Sequence, residues 1–289
     1  MRISLADGRA LEVLAFGPED GRPFVLHLGT PSGPRDVPSL TGPAAERGLR
    51  TLVLGRPGYA GSTPRPGRRV ADVAGDVAEV LDHLGYDLFV TLGWSGGGPH
   101  ALACAALLPD RCAAAATLAG VAPHDAGGLD WTEGMGPENI VEFGAAIAGP
   151  EALTEVLDRQ AAGLARVTGA EIAAALGGLL PPVDAAELTG DFADAVALGF
   201  RSAVSTGTAG WRDDDLAFVR PWGFDPWAIT VPVCVWQGGQ DLMVPPGHGA
   251  WLAAHIPGAR AHLDPEAGHL SLVQHADGIV DDLLAAAGW

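Results

Sequence analysis

Apolar residues along this chain recur in short continuous runs, separated by stretches in which they recur at helical spacing. We interpret three runs as buried strands: "FVLHLG" at 24–29, "RTLVLG" at 50–55 and "DLFVTLGW" at 87–94. The last two flank "VADVAGDVAEVLDHLG", whose valines and leucines recur every three or four residues and predict a helix that ends at Gly85. Strands that alternate with helices in this way predict an α/β fold, a mostly parallel central sheet with helices on both faces.

Further elements extend this alternation toward both ends of the chain. Residues 2–6 and 10–16 are predicted to form a hairpin across Asp7-Gly8, which gives the sheet an antiparallel edge. After residue 94 the pattern predicts a helix at "HALACAALLPD", a strand at "AAAATLAGV", strands at 231–238 and 259–268 around a helix, and a closing helix at "ADGIVDDLLAAAG".

One block interrupts the alternation, because no convincing strand occurs from about residue 125 to 228. Three helical patterns occupy it: "EALTEVLDRQAAGLARV", "TGAEIAAALGGLL", and "DAAELTGDFADAVALGFRSAVSTG", the last predicted to stop at Gly207. The sequence therefore predicts an α/β core domain of residues 1–124 and 229–289, with residues 125–228 inserted into it as a helical lid.

Charge and composition indicate which classes of partner the protein can bind and in which cellular compartment it is expected. The chain has 17 Lys and Arg against 35 Asp and Glu, a formal charge of −18. A surface this acidic repels phosphate backbones and anionic lipid, so we expect no nucleic-acid or membrane partner. Cys104, Cys112 and Cys234 lack metal-ligand spacing and lie among apolar residues, which favours buried, reduced thiols. Because the sequence also has no signal-peptide pattern, we expect a cytoplasmic protein, with a homodimer left open.

The candidate chemistry centres on "GWSGG", residues 93–97, which joins a predicted strand to a predicted helix. This is the pattern G-x-S-x-G, in which a tight turn projects the serine and the glycines avoid clashes with the strand and the helix. The turn also directs the N-terminus of the following helix toward the serine hydroxyl. Because the chain has neither a P-loop lysine nor a G-x-G-x-x-G motif, Ser95 is predicted to be a nucleophile rather than part of a phosphate-binding turn.

The serine needs two partners, because its hydroxyl becomes nucleophilic only when a histidine oriented by a carboxylate removes its proton. In a sheet of this type they follow the serine in the order Asp or Glu, then His, in loops after later strands. Asp241 in "WQGGQDLMVP" and His269 in "EAGHLSL" satisfy this order. Asp125, after an earlier strand, stays open as an alternative acid.

An oxyanion intermediate requires preorganised N–H donors. One predicted donor is the backbone of Gly96, directly after the nucleophile. The other is Thr30 in "HLGTPSGP", where Gly29 permits a sharp turn. Gly29, Trp94 and Tyr59 are further candidates for residues that line the substrate pocket.

Taken together, "HLGTP", "GRPGYAGS", "GWSGGGPHALACAA", "WQGGQDLMVP" and "GHLSL" resemble the α/β-hydrolase fold family, and its esterase-like members from high-GC bacteria in particular. The resemblance covers about residues 20–122 and 229–288. It implies Ser95 as nucleophile, Asp241 as acid and His269 as base, with the two backbone donors named above forming the oxyanion hole.

Two positions differ from residues that are common among proteins of this fold. Leu28-Gly29 stands where many members have His-Gly before the oxyanion residue, which leaves the support of that loop open. Ser95 stands where epoxide hydrolases and haloalkane dehalogenases have Asp, which disfavours alkyl-transfer chemistry.

These features predict an enzyme that cleaves a carboxylic ester of a small or medium hydrophobic substrate through an acyl-enzyme, with no metal and no cofactor. Three alternatives stay open: a proline-iminopeptidase-like aminopeptidase, a cofactor-free perhydrolase that uses the same three residues, and a non-catalytic ligand-binding receptor. The aminopeptidase would need a lid glutamate to hold the substrate amine, and the sequence offers Glu151, Glu155, Glu171 and Glu187.

Overall fold

The structure, a computed structural model, describes all 289 residues. Its centre is one eight-stranded sheet made of β1 (Arg2–Ser4), β2 (Ala10–Phe16), β3 (Arg22–His27), β4 (Leu49–Leu54), β5 (Phe89–Trp94), β6 (Cys112–Leu118), β7 (Val233–Gly238) and β8 (Arg260–Asp264). The strands lie in the order β1-β2-β4-β3-β5-β6-β7-β8. The pairs β1–β2 and β2–β4 are antiparallel and all other neighbours are parallel, so the predicted sheet with an antiparallel edge is confirmed.

Burial explains why the central strands are continuous apolar runs. All six residues of β5 are buried, and only Arg22 of β3 is exposed. Parallel strands covered on both faces require such runs, whereas a half-covered strand alternates. The outermost strand β8 has no fully buried residue, which agrees with its mixed composition.

The helices form two layers and one insert. They are α1 (Pro38–Glu46), α2 (Asp72–Leu84), α3 (Gly98–Leu107), α4 (Pro137–Ala148), α5 (Pro150–Leu164), α6 (Ile172–Leu176), α7 (Pro182–Glu187), α8 (Gly190–Ala203), α9 (Ala209–Phe218), α10 (Pro246–His255) and α11 (Ala276–Ala287). Helices α2, α3 and α10 contribute to the core on one face of the sheet, and α1 and α11 to the core on the other. No helix is long and apolar enough to cross a membrane.

The chain between β6 and β7 contains no strand and holds α4 to α9; we refer to residues 125–228 as the helical insert. The prediction of one continuous helix that runs to Gly207 is wrong, because α7 ends at Glu187 and α8 begins at Gly190. Thr189 between them is extended, and Gly190 has a φ of +51°. The spacing of apolar residues does not reveal such a change of chain direction.

The topology brings four strand ends together. His27 of β3 pairs with Gly93 of β5, and Gly238 of β7 pairs with Asp264 of β8. Because these strands are parallel, the loops that follow them open at the same edge of the sheet. All three cysteines lie elsewhere in the core with free thiols, and burial raises the pKa of Cys234 to about 12.

Candidate active site

Ser95 lies at the tip of the tight turn between β5 and α3. Its φ is +55°, a left-handed conformation that a residue other than glycine rarely adopts. The flanking glycines permit the turn, because a Cβ on Gly93 would overlap the carbonyl of Gly97, and a Cβ on Gly97 would overlap the carbonyl of His27. The turn therefore presents the hydroxyl at the carboxyl edge of the sheet, just before the first turn of α3.

Asp241 and His269 lie in the loops after β7 and β8 and are in direct contact. Nδ1 of His269 donates to Oδ2 of Asp241 over 2.8 Å, and both side chains are buried. The other Asp241 oxygen accepts the N–H groups of Met243 and Val244, each at 2.8 Å. The carboxylate is thus fixed in orientation, and it fixes the imidazole with Nε2 free of protein partners.

The surroundings of His269 act on its pKa in opposite directions. Burial lowers the pKa, whereas the charge of Asp241, the hydrogen bond to that carboxylate and the charge of Asp184 raise it. The raising effects prevail, so the pKa lies above the ordinary value of 6.5. An imidazole in this state is well suited to accept a proton from a hydroxyl.

Ser95 and His269 line one small cavity of about 90 Å³ without a direct hydrogen bond between them. Trp94 lines the same cavity and lies against the imidazole, with ring centroids 6.3 Å apart and planes inclined by 25°. Asp125, the alternative acid, is exposed and lines a different cavity. Of the two candidate acids, only Asp241 meets the histidine.

The two predicted oxyanion donors are neighbours in the structure. A Cβ on Gly96 would come within 2.6 Å of Oγ1 of Thr30, and a Cβ on Gly29 would come within 3.2 Å of the Cβ of Ser95. The N–H of Thr30 donates to no group of the protein. The N–H of Gly96 belongs to a first helical turn, where amides lack intrahelical acceptors. Two backbone donors are therefore available beside Ser95.

A buried ion cluster of Arg56, Arg68 and Asp214 supports the loop of residues 28–30, and no local sequence pattern indicates it. Arg56 donates to the carbonyls of Leu28 and Gly29 at 2.6 and 2.9 Å, and to Asp214 of α9 at 2.7 Å. Asp214 also accepts the hydroxyl of Thr30 over 2.9 Å. An arginine and an aspartate thus hold this loop, in which Leu28-Gly29 precedes Thr30.

The arginines of this cluster keep Asp214 ionised. Burial alone would raise the pKa of Asp214, but the charges of Arg56 and Arg68 outweigh it and hold the pKa well below its ordinary value. The hydroxyl of Tyr59 donates to the same carboxylate over 2.8 Å. Tyr59 is fully buried and lines neither cavity that contains Ser95, so the prediction that it lines the substrate pocket is wrong. Its sequence context does not distinguish a cavity wall from a partner for a buried charge.

A second buried aspartate of the helical insert holds the loop of the histidine. Asp184 of α7 accepts the backbone N–H groups of His269, Leu270 and Ser271 at 2.7 to 3.0 Å. Its side chain is fully buried. Because Asp184 lies 85 residues from His269 in sequence, no local pattern could have revealed the contact.

A larger cavity of about 390 Å³ separates Ser95 from the helical insert. Most of its wall is apolar, and its volume lies within the range of small-molecule sites. The apolar side chains include Val121, Met135, Phe143, Leu164, Leu176, Leu179, Phe200, Trp211 and Phe218. The arrangement suits a small or medium organic molecule with an apolar body.

Three carboxyl side chains of the insert also line this larger cavity: Glu138, Glu142 and Asp215. The four glutamates considered from the sequence do not line it; they are Glu151, Glu155, Glu171 and Glu187. The run "RDDDLAF" is the one sequence signal that marked this region, because three successive acidic residues stand among apolar ones. All three are buried in α9, where carboxyl groups require partners or protons. No group of three or more His, Cys, Asp or Glu side chains is arranged to hold a metal ion.

Comparisons with known proteins give sequence matches for this chain. A family model described as alpha/beta hydrolase fold matches residues 22–276. A non-heme chloroperoxidase of Streptomyces lividans is 30% identical over 148 residues, which are 50% of this chain. The match spans about half of that relative's length, 54%.

Solved structures resemble the whole chain. An esterase of Exiguobacterium antarcticum superimposes with a TM-score of 0.70 and 19% identity, covering 100% of this chain and 99% of its own. An enol-lactonase of Burkholderia xenovorans superimposes with a TM-score of 0.70 and 20% identity, covering 100% of both chains. At these identities the likeness shows a shared fold.

Proposed function

Because the chain belongs to the alpha/beta hydrolase fold family, we propose that it is a serine hydrolase that cleaves a carboxylic ester of a small or medium hydrophobic substrate. One observation carries this proposal: Ser95, in a left-handed turn, lines a cavity together with a histidine that is hydrogen-bonded to a buried aspartate. The names of the similar esterase and enol-lactonase support the same class of reaction.

In the proposed mechanism, Nε2 of His269 takes the hydroxyl proton of Ser95 as Oγ attacks the ester carbonyl carbon. Asp241 keeps the imidazole in the required tautomer and stabilises its positive charge. The proton then passes to the alcohol oxygen, which leaves as the alcohol, and an acyl group stays on Ser95. Water, deprotonated by His269, attacks this acyl group and releases the acid.

The oxyanion of each tetrahedral intermediate is proposed to bind the backbone N–H groups of Gly96 and Thr30. Preorganised donors of this kind stabilise charge that develops only as the reaction proceeds. Arg56 and Asp214 act as positioning residues, because they fix the carbonyls and the hydroxyl of the loop that carries Thr30.

The helical insert is proposed to serve as the lid over the substrate. Its side chains form most of the wall of the 390 Å³ cavity, so its packing sets the size and polarity of the acyl or alcohol group accepted.

The test compares the wild-type protein with Ser95→Ala on p-nitrophenyl acetate and butyrate. We expect the variant to lose hydrolysis by at least about 10³-fold, because the nucleophile is gone and only oxyanion binding remains. A fluorophosphonate probe should label the wild-type protein at Ser95 and leave the variant unlabelled. Retained ester hydrolysis by a folded Ser95→Ala variant would refute the assignment, and failure of the wild-type protein to label would favour a non-catalytic receptor.

A second candidate is a perhydrolase, favoured by the similarity to the Streptomyces lividans chloroperoxidase. Acetate would acylate Ser95 with loss of water, and hydrogen peroxide would then attack the acyl carbon in place of water and leave as peracetic acid. The peracid, outside the protein, would oxidise halide. Peroxide-dependent halogenation in acetate buffer that Ser95→Ala abolishes would support this candidate, and its absence in the wild-type protein would exclude it.

A further inference from the structure

One wall of the larger cavity is acidic, although the proposed ester chemistry requires no acid there. Glu142 of α4 and Asp215 of α9 both line the cavity that contains Ser95. Glu142 is 8% exposed and Asp215 is 0% exposed. The indole Nε1 of Trp211 donates to one oxygen of Glu142 over 2.9 Å, which fixes the orientation of that carboxyl group.

Several acceptor atoms at this wall lack a hydrogen-bond donor. Neither oxygen of Asp215 accepts a hydrogen bond from an N–H or hydroxyl group of the protein, and the carboxyl group of Glu142 can bond to Asp215 only through a shared proton. Oε1 of Gln160, which lines the same cavity, is also buried without a donor. Buried acceptors left in this state cost free energy, so the wall is complementary to a ligand that brings several N–H donors.

The charged groups around Glu142 and Asp215 favour the binding of one additional positive charge at these two carboxyl groups. Arg56 and Arg68 carry +2 against −1 on Asp214, and both arginines form ion pairs with this aspartate. If Glu142 and Asp215 were both ionised, the buried cluster would have a net charge of −1, and one extra proton or one cationic ligand would make it neutral. His100, 3.4 Å from Asp214, adds no charge, because burial lowers its pKa to about 4.

In the absence of a ligand, a proton on Glu142 or Asp215 supplies the additional positive charge. Burial raises the pKa of Glu142 to about 7, against the lowering effect of its hydrogen bonds. Burial also raises the pKa of Asp215 well above its ordinary value, and the charges of Glu142 and Asp214 raise it further, against the effect of Arg68. Near neutral pH the two carboxyl groups therefore hold a proton between them, which a stronger cation can replace.

We propose that Glu142 and Asp215 bind the ammonium group of an amine-bearing ester, placing its ester bond at Ser95. The proposal rests on the serine hydrolase function proposed above and names a substrate class for the same cavity. Binding moves one proton from the carboxyl pair to solvent and leaves the charge of the buried cluster unchanged.

The rest of the wall distinguishes an organic cation from a metal ion. Trp211, Phe143 and Phe218 line the cavity, and aromatic faces attract alkylammonium groups. A calcium ion would require a larger set of oxygen ligands than two carboxyl groups, and no third His, Cys, Asp or Glu side chain completes a metal site here. The other charged residues of the wall are Glu138, which accepts the N–H of Gly178, and Arg159, which is exposed and makes no ion pair. Neither neutralises Glu142.

The experiment uses matched pairs of esters that differ in one group. Methyl 6-aminohexanoate and methyl heptanoate exchange an ammonium for a methyl group on the acyl side. 2-(Dimethylamino)ethyl butyrate and 3-methylbutyl butyrate exchange a protonated nitrogen for a carbon on the alcohol side. The rate of acid release at pH 8 gives kcat/KM for each ester. In at least one pair we expect the amine to be favoured by tenfold to a hundredfold, on the order of one charge-assisted hydrogen bond, chiefly through KM.

Two variants test where this preference arises. Glu142→Gln removes the charge at nearly constant shape and should reduce the ratio between amine and isostere to about one. Glu151→Gln removes the same charge from an exposed position outside the cavity and should retain the wild-type ratio. Because each measurement is a ratio of two esters on one protein, a general loss of folded or active enzyme cancels.

The pH dependence provides an independent readout. The ammonium group of methyl 6-aminohexanoate stays charged throughout pH 6 to 8, whereas Glu142, whose pKa is about 7, loses its proton over this range. The preference for the amine should therefore rise with pH in the wild-type protein and be flat in Glu142→Gln. The titration of His269 affects both esters of a pair and cancels in the ratio.

Three outcomes would overturn the proposal: no preference in either pair, a preference that Glu142→Gln retains, or an equal preference for methyl 6-hydroxyhexanoate, which would indicate recognition of a neutral donor. Each of these can occur while Ser95 is labelled by fluorophosphonate and neutral esters are hydrolysed. Failure of the amine site is thus distinguishable from failure of the hydrolase function, in which no ester is cleaved and no label is incorporated.

Discussion

At the scale of single residues, Asp214 and Asp215 show how different surroundings shift the pKa values of two identical side chains in opposite directions. Both are fully buried in α9. The pKa of Asp214 is held down by Arg56 and Arg68, whereas burial and neighbouring carboxylates hold the pKa of Asp215 up. Asp214 is therefore an anion that supports the loop of residues 28–30, and Asp215 is, in the proposed amine site, the group that exchanges a proton for a ligand.

His269 gives a prediction at this scale. The imidazole acts as a base only when neutral, and its pKa lies above 6.5, so kcat/KM for p-nitrophenyl butyrate should fall as the pH decreases, with a midpoint above 6.5. Asp184→Asn removes one charge that raises this pKa, so its midpoint should lie lower. Asp191→Asn, exposed on α8, should keep the wild-type midpoint. A pH–rate profile from 5 to 9 checks this, and a wild-type midpoint below 6.5 would contradict it.

At the scale of elements, the tight turn between β5 and α3 is possible because its glycines lack a Cβ where neighbouring backbone and side-chain atoms lie close. Gly93 and Gly97 allow the strand and the helix to approach each other, and Gly96 leaves space beside the loop that carries Thr30. The strand-turn-helix unit of β5 and α3 places the proposed nucleophile Ser95, the proposed oxyanion donor Gly96 and the N-terminus of α3 together. The local sequence specifies this geometry almost completely, because each contact lies within a few residues or against the neighbouring strand β3.

Gly96→Ala tests this unit. The added Cβ would lie 2.6 Å from Oγ1 of Thr30 and 3.1 Å from Cζ of Phe218, so the loop of residues 28–30 must shift. We expect kcat to fall by about 10²–10³-fold, the cost of losing one oxyanion donor. Gly75→Ala, on α2 with nothing within 4 Å of the new Cβ, is the matched control and should keep full activity. Comparable losses in both variants would show that the effect is not local.

At the scale of the whole molecule, the helical insert is fastened to the sheet edge at two buried points. Asp214 ties α9 to the loop after β3, and Asp184 ties α7 to the loop after β8. These two loops carry Thr30 and His269. The insert therefore helps to build the proposed active site and is not merely a cover laid over a finished one.

The contribution of this connection can be measured with Asp214→Asn. The substitution keeps the volume but leaves Arg56 and Arg68 without their counter-charge, so we expect a loss of about 3–5 kcal/mol in the free energy of unfolding. The folded-state pKa of Asp214 is depressed, so its stabilisation is present above the ordinary 3.8 and is lost as the pH falls through the lower folded value.

Denaturant titration at pH 7 provides the measurement for Asp214→Asn. Asp281→Asn breaks an exposed pair with Arg47 and should leave the midpoint nearly unchanged, because surface ion pairs contribute little. Equal midpoints for the two variants would show that the buried cluster does not hold the insert to the core.

The sequence by itself determined the fold of this protein. Apolar runs and helical spacing predicted the parallel sheet, its antiparallel edge and most helices, because these patterns follow from burial of each element. The rule that parallel strands end at one edge also directed attention to Ser95, Asp241 and His269, whose loops the structure brings to that edge. Such features are written locally, within single elements and the turns that follow them.

Only the tertiary structure decided the polar contacts between distant segments. Arg56 meets Asp214 across 158 residues, Asp184 meets His269 across 85, and Trp211 meets Glu142 across 69. A buried charge has no periodicity, and its partner is chosen by how the helical insert packs against the sheet. The acidic wall of the larger cavity, and the contacts that hold the loops after β3 and β8, therefore follow only from the tertiary structure.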